Sequence, residues 1–331
     1  MKREIVVNGR FLSRPLTGVE RYGCELLPFI GSKSRVEATR TQGITGHLWE
    51  QFVLPTRLNS KSVLWSPANS GPVMVRDQAL TIHDLSPIEH PEWFRKSFAS
   101  WYRVFLPMLA RRVRVIFTPS EYVRQNVMKR LHVENVIVTP NGVNATCYHP
   151  AAHQSRYELP EKYVLFVGSL QPRKNLPMLL CAWEALKDEY PDLWLIIVGT
   201  THPVFHKVEL RGKERVRYLG YVAEDALPGI YANATLFVLP SFDEGFGLPA
   251  LEAMASGVPV IVSNGGALPE VVGDAGLVFE VPDPDGLISK IRACLNDKQL
   301  RASLKQRGLS RAESFSWQKT AELVWNTLNE L

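Results

Sequence analysis

A chain of 331 residues exceeds what a single hydrophobic core ordinarily supports, so two domains are expected. Its 45% hydrophobic content is ordinary for a soluble globular protein, and no apolar run reaches membrane-spanning length. The net charge of +5 is unevenly spread, with 20 Lys and Arg against 11 Asp and Glu in residues 1–150, and 18 against 22 in residues 151–331. A basic first half suits an anionic or membrane-bound partner whose attraction salt would weaken. A basic surplus with no spatial clustering fits the same counts. The chain opens on a strand-like run rather than a signal peptide. Cys24, Cys147, Cys181 and Cys294 are scattered without a C-x-x-C pair, which argues against a disulfide framework or a zinc site and suits a reducing cytoplasm.

Strand-like and helix-like runs alternate along the chain, the pattern of parallel sheets with crossover helices. The first half predicts strands at Glu4–Val7, Val63–Ser66, Ala79–His83, Val115–Pro119 and Val136–Pro140, with helices over Val19–Phe29, Pro91–Arg111 and Glu121–Leu131. The stretch Gly31–His47 is short and polar, which suggests a trimmed first domain. Trp93, Phe94, Phe98, Trp101, Tyr102 and Phe105 recur at helical spacing with Arg95, Lys96 and Arg103 between them. That run suits an interfacial membrane helix as well as a helix packed on a sheet. The polar segment Asn144–Pro160 predicts a linker. Beyond it, strands are expected at Tyr163–Gly168, Leu193–Val198, Val216–Gly220, Leu236–Leu239, Val258–Ser263 and Leu277–Glu280. Helices are expected over Leu176–Asp188, Ala226–Asn233, Pro249–Ser256, Pro284–Asn296 and Ser316–Leu331.

The densest chemistry lies in Ser241-Phe-Asp-Glu244-Gly-Phe-Gly-Leu-Pro-Ala-Leu-Glu252. An apolar strand-like run precedes it, Pro249 fits the first helical position, and Gly257 and Pro259 end the helix. Phe246, Gly247 and Leu248 would present backbone N–H groups at the positive end of that helix, which is a place for an anion. Glu244 and Glu252 stand eight positions apart, roughly 12 Å if the segment is helical. No G-x-G-x-x-G follows the first strand, as a dinucleotide reader would require. Arg173 and Lys174 follow the first strand of the second series, where open α/β sheets bind ligands. Arg173 can grip a phosphate with a fork of donors and Lys174 can act as a point charge. No D-x-D pair stands at a strand end to suggest a metal.

Glu244 and Glu252 with the intervening Gly-Phe-Gly-Leu-Pro-Ala-Leu resemble the E-x7-E signature of retaining, nucleotide-sugar-dependent glycosyltransferases of the GT-B fold. The resemblance is to glycosyltransferase family 4, which includes bacterial mannosyl- and rhamnosyltransferases of surface polysaccharide assembly. Gly168-Ser-Leu-Gln-Pro-Arg173-Lys174-Asn175 is similar to that family's phosphate-binding loop, Thr139-Pro-Asn-Gly-Val143 to its inter-domain junction, and Thr81-Ile-His83-Asp84 to its acceptor-side loop. Gly18 is similar to its glycine turn, with one glycine where many relatives have more. Ser169 stands where many relatives carry a further Arg.

The resemblance implies an α/β protein of two Rossmann-like domains with parallel sheets facing across a cleft. Residues 1–150 would bind the acceptor and residues 151–315 the nucleotide sugar, with 316–331 a helix crossing back to the first domain. It implies catalytic roles for Glu244, His83, Lys174 and Arg173, and donor binding by Gly18, Gly168, Arg173, Lys174, Glu244, Phe246, Gly247, Leu248 and Glu252. His83 and Asp84 would lie on the acceptor side. No cofactor and no metal is expected. The expected partners are a nucleotide sugar, a lipid-linked or oligosaccharide acceptor and an anionic membrane surface, with no nucleic acid. The location implied is the cytoplasm, with the inner face of the cytoplasmic membrane as a place within it. A GDP-linked mannose or 6-deoxyhexose is the expected donor, with UDP- or ADP-sugars as alternatives. A catalytically silent nucleotide-sugar binder and an epimerase are the other readings.

Overall fold

The computed structural model describes residues 3–152, 156–200 and 214–331. It divides into two compact units, one comprising Met1–Pro91, Lys96–Gly142 and Ser316–Leu331, the other Glu92–Arg95 and Val143–Phe315.

The first unit runs β1 (Glu4–Asn8), α1 (Gly18–Ile30), β2 (Arg35–Glu37), α2 (Gly43–Leu48), β3 (Ser62–Ser66), β4 (Gln78–Thr81), α3 (Ser86–Glu89), α4 (Lys96–Ala110), β5 (Val115–Thr118), α5 (Glu121–Leu131) and β6 (Val136–Val138). Its six strands are all parallel, in the order β2-β1-β3-β4-β5-β6. The strand order therefore reverses between β1 and β3. Elements start where local chemistry starts them. The Ser120 hydroxyl accepts the Val123 N–H at 3.2 Å to cap α5, and His132 at φ +55° ends it.

Two sequence expectations are corrected in this unit. Gly31–His47 is not a bare polar connection. It carries the edge strand β2, paired through Arg35, Val36 and Glu37, and most of α2, which continues into a π-helical turn over Trp49–Val53. One apolar residue in a three-residue strand is too little pattern to read. The helix expected over Pro91–Arg111 is a 3-10 turn at Pro91–Trp93 followed by α4. Its face of Ala99, Phe105, Leu106 and Leu109 is buried, while Trp101, Val104 and Met108 are exposed.

The second unit runs β7 (Lys162–Val167), α6 (Leu176–Leu186), β8 (Leu193–Val198), β9 (Val216–Gly220), α7 (Leu227–Ala232), β10 (Leu236–Leu239), α8 (Leu248–Ala255), β11 (Val260–Ser263), α9 (Leu268–Val272), β12 (Gly276–Phe279), α10 (Pro284–Asn296) and α11 (Lys298–Glu313). Its sheet is also parallel, ordered β12-β11-β10-β7-β8-β9, so the order reverses between β7 and β10. The central strands are covered on both faces, which is why they read as unbroken apolar runs. Helix α11 escapes the sequence pattern because its buried face is Leu304, Gly308 and Ala312, mostly small residues, with Gly308 set against Met254.

Part of the expected linker, residues 153–155, lies outside the described residues. The rest is not all exposed: Tyr148 is buried in the second core, its ring 5.7 Å from that of Tyr231. The second unit begins at Val143, before the boundary at 150 read from the sequence, because an anchoring aromatic sits inside a locally polar stretch.

The final helix, α12 (Trp317–Glu330), belongs to the first unit. Trp317 lies edge-on to Tyr22 at 6.0 Å, and the Thr320 hydroxyl donates to the Pro140 carbonyl at 2.5 Å. A Cβ on Gly142 would stand 2.1 Å from the Trp317 backbone nitrogen, so only glycine lets the chain pass there. No helix among the described residues is long and apolar enough to cross a membrane.

Candidate active site

In an open parallel sheet the crevice for a ligand forms at the carboxyl ends of the strands where the order reverses. In the second unit those strands are β7 and β10, paired through Val164 with Leu236 and Leu165 with Phe237. The loop leaving β7 carries Gly168, Arg173 and Lys174; the loop leaving β10 carries Ser241, Asp243 and Glu244. The Phe242 N–H donates to the Arg173 carbonyl at 2.7 Å and ties the two loops together.

Three of the charged residues picked out in the sequence converge here. Lys174 Nζ donates to Glu244 Oε1 at 2.5 Å, and Arg173 donates to Glu244 Oε2 at 3.0 Å and to the Asp243 carbonyl at 3.1 Å. The Ser241 hydroxyl adds a bond to Glu244 Oε1 at 2.7 Å. Lys174 and Glu244 are buried, so neither charge could persist without its partner. Burial pushes the Glu244 carboxyl up, but Lys174 and Arg173 outweigh it and hold the group down at about 2. The carboxylate is ionised across the physiological range.

The loop is set by residues that sequence reasoning passed over. Ser263 Oγ donates to the Ser241 carbonyl at 2.5 Å, and the Ala267 N–H donates to the Glu244 carbonyl at 2.8 Å. Gly266, at φ +64°, approaches so closely that a Cβ would lie 2.3 Å from the Glu244 carbonyl oxygen. The Gly-Gly pair after β11 was the available signal of a close backbone approach.

Gly247 caps α8 at φ +104°, and Leu268 fills the space where its Cβ would be. Phe246, Gly247 and Leu248 thus stand at the positive end of an eight-residue helix. Glu252 lies within that helix, buried, and Oε2 accepts the Tyr231 hydroxyl at 3.0 Å. Tyr231 lies 21 residues away on α7, and nothing in the sequence links it to Glu252.

The other expected residues belong to the first unit. His83, just beyond β4, is buried; its Nε2 lies 2.7 Å from the Pro67 carbonyl, and its N–H donates to Asn69 Oδ1 at 2.7 Å. A carbonyl only accepts, so Nε2 carries the proton. Burial lowers the imidazole pKa, leaving a neutral ring whose Nδ1 is an acceptor. Asp84 Oδ1 accepts the Ser86 N–H at 3.1 Å, just before α3. Gly18 opens α1 with nothing within 4 Å of where a Cβ would be.

The first sheet's reversal is built differently. Around the ends of β1 and β3, Arg10 donates to Glu50 at 2.8 Å and to Ser70 at 3.2 Å. Asn8 donates to Glu50 at 2.8 Å and to Ser66 at 3.2 Å. All of these groups are buried.

Two α/β units, each with a parallel sheet, and in one of them a cation–carboxylate cluster and a helix N-terminus at the reversal point, define the class of a two-domain, doubly wound α/β protein. The family comparisons narrow it. The glycosyl transferases group 1 family matches residues 152–311, and Glycosyltransferase Family 4 matches residues 73–146. The chain belongs to the family 4, group 1 glycosyltransferases. It is 37% identical over 252 residues to O-antigen chain mannosyltransferase B of Escherichia coli, covering 72% of this chain and 66% of that one. It is 28% identical over 214 residues to O-antigen chain mannosyltransferase RfbU of Salmonella typhimurium, covering 63% and 58%. The matches thus span less than two thirds of these relatives' own lengths. Among solved structures, sucrose-phosphate synthase from Thermosynechococcus elongatus superposes with a TM-score of 0.79 at 17% identity, over 99% of both chains. Anabaena HepE, solved in complex with UDP and glucose, gives 0.74 at 18% identity over 100% of both. The fold is GT-B.

Proposed function

We propose that the chain is a retaining hexosyltransferase that moves mannose, or a 6-deoxy relative, from a GDP-linked donor to a hydroxyl of a lipid-linked glycan. The observation that carries this reading is the cluster of Arg173, Lys174 and Glu244 at the ends of β7 and β10, beside the N-terminus of α8. Breaking the bond from anomeric carbon to diphosphate leaves growing negative charge on the phosphate. Arg173, Lys174 and the helix N–H groups are the donors placed to stabilise it. Glu252 holds the ribose, Glu244 contacts the transferred sugar, and His83 and Asp84 serve the acceptor side. The departing phosphate assists deprotonation of the acceptor hydroxyl in a front-side displacement. The choice of GDP-mannose rests on the printed names of the Escherichia coli and Salmonella relatives. The UDP seen in HepE keeps a UDP-sugar as the alternative.

The lipid-linked acceptor is favoured by the surface of the first unit. Ile44, Leu48 and Phe52 recur every fourth residue along α2 and its π turn, and are 80%, 51% and 70% exposed. His47 packs edge-on against Trp101 of α4 at 4.8 Å, which brings this ridge beside the exposed Trp101, Val104 and Met108. Exposed Arg103, Arg111 and Arg112 stand on or just after the same helix. An apolar ridge with basic residues beside it fits the headgroup region of an anionic bilayer.

The deciding experiment supplies GDP-mannose, UDP-glucose or ADP-glucose with a lipid-linked acceptor, and reads nucleoside diphosphate release and the anomeric configuration of the product. Release from GDP-mannose with a retained configuration is expected. An inverted product would refute the mechanism; release from none of the three donors would favour a silent binder. Because cationic side chains serve the diphosphate, activity should survive excess EDTA. Loss in EDTA restored by manganese or magnesium would overturn that assignment. For the surface, vesicles containing anionic lipid should co-sediment the protein at low salt and release it as salt screens charges beyond about 10 Å at 0.1 M. Ile44→Ser combined with Phe52→Ser should weaken that binding.

A further inference from the structure

The carboxylate of Glu244 occupies the two cations that a diphosphate requires. One oxygen receives Lys174 at 2.5 Å and the other Arg173 at 3.0 Å, so a single anion takes both donors in the manner of a phosphate. The arrangement is built rather than incidental: Glu244 is buried, Ser241 fixes one oxygen, and Ala267 with Gly266 fixes the backbone beneath. A diphosphate approaching Arg173 and Lys174 therefore meets a negative charge already seated on them.

We propose that Glu244 discriminates between intact donor and spent nucleotide by competing with the diphosphate for Lys174 and Arg173. The inference rests on the donor-site reading above and adds to it a second role for the same carboxylate. When the nucleotide carries its sugar, the sugar hydroxyls give Glu244 hydrogen-bond donors, and the carboxylate can leave the cations without being stranded in a buried place. Once the sugar has been transferred, those donors are gone. The carboxylate then regains its ion pairs only at the expense of the diphosphate. Glu244 thus lowers the affinity for product relative to donor and drives nucleotide release.

The test is Glu244→Gln, which removes the charge, keeps the size and keeps an acceptor for the Ser241 hydroxyl. Calorimetry with GDP, with UDP and with inorganic pyrophosphate should show binding tighter than wild type by about tenfold or more, because a like charge at contact distance has been removed. Product inhibition by the same nucleotide should deepen as kcat falls. Equal or weaker binding of all three ligands by the variant, with wild type binding GDP or UDP normally, would overturn the proposal and leave the donor-site reading standing. Wild type that binds neither GDP nor UDP would overturn the donor-site reading itself. Loss of the negative charge between Lys174 and Arg173 should lower the variant's melting temperature, and pyrophosphate should raise it further than it raises that of wild type. A variant that cannot be folded even with pyrophosphate present would also count against the proposal, since an outside anion could then not take the carboxylate's place.

Discussion

Both units are open parallel sheets whose strand order reverses once, and both place buried charge at that reversal. They use it in opposite ways. In the first unit Arg10 and Glu50 are closed in by Asn8, Ser66 and Ser70, so the charges answer one another and hold three chain segments together. In the second unit Arg173, Lys174 and Glu244 sit on two loops beside a helix N-terminus, with both cations on the one carboxylate. The same position in the same kind of sheet closes on amides and hydroxyls in one case, and in the other lies beside a helix N-terminus where we propose a diphosphate competes for the cations. The difference lies in the partners: a buried network closed by amides and hydroxyls, against a carboxylate held chiefly by the two cations themselves.

The comparison breaks if the wrong cluster proves to matter for stability. The largest effect is expected at Arg10. Arg10→Met removes the guanidinium from the buried Glu50 carboxylate, leaving it only neutral donors, and should destabilise the protein by about 3–5 kcal/mol, measured by denaturant unfolding. Replacing Glu50 as well, with Gln, should recover part of that loss. Little change for Arg10→Met would mean that the first cluster is not what holds those segments.

Next is Lys174→Ala. It should lower kcat/KM by on the order of 10²–10³-fold, as for loss of one preorganised charge stabiliser. Unchanged steady-state kinetics would remove Lys174 from the site. Smaller again is Tyr231→Phe, which removes the hydroxyl that donates to Glu252 Oε2. The lost hydrogen bond to a charged group, about 1.5–3 kcal/mol at most, should appear as a higher donor KM with kcat nearly intact, the same direction as Glu252→Ala. A fall in kcat alone would assign Tyr231 elsewhere.

The smallest effect is that of mild acid. The Glu244 carboxyl is lowered in the folded protein, so its contribution to stability is complete above its ordinary value of 4.5 and is lost as pH falls toward about 2. A pH series should therefore show nucleotide binding undisturbed by this group between pH 8 and 5. A titration step in that window absent from Glu244→Gln would show that the pair is looser than the geometry implies.

Much of this was legible in the sequence where the cause is local. Apolar runs marked the central strands, Gly257 and Pro259 marked a helix end, and the glutamate block marked the loop and helix that bring Glu244 to Arg173 and Lys174. Causes that act across the chain were not legible. Arg10 and Glu50 lie 40 residues apart, Tyr231 and Glu252 lie 21 apart, and no periodicity connects either pair. Three-residue β2 offers no pattern, and α11 hides its contact face behind a glycine and an alanine. On α4 the spacing announced a helix, but two runs of side chains compete for the inside and only the sheet beneath decides which one wins. His83 was legible as a strand-end residue, not as a ring already bonded to Pro67.

The placement of α12 has a consequence for the order in which the protein is made. Tyr22, Pro140 and Gly142 all take Trp317 or Thr320 as neighbours, and these two residues follow the whole of the second unit in the chain. A nascent chain emerges from its amino end, and domains ordinarily close in that order. Here the first unit begins first and finishes last. Its sheet waits, with the surface around Tyr22 uncovered, while residues 143–315 are synthesised. The second unit can be complete before the first has closed.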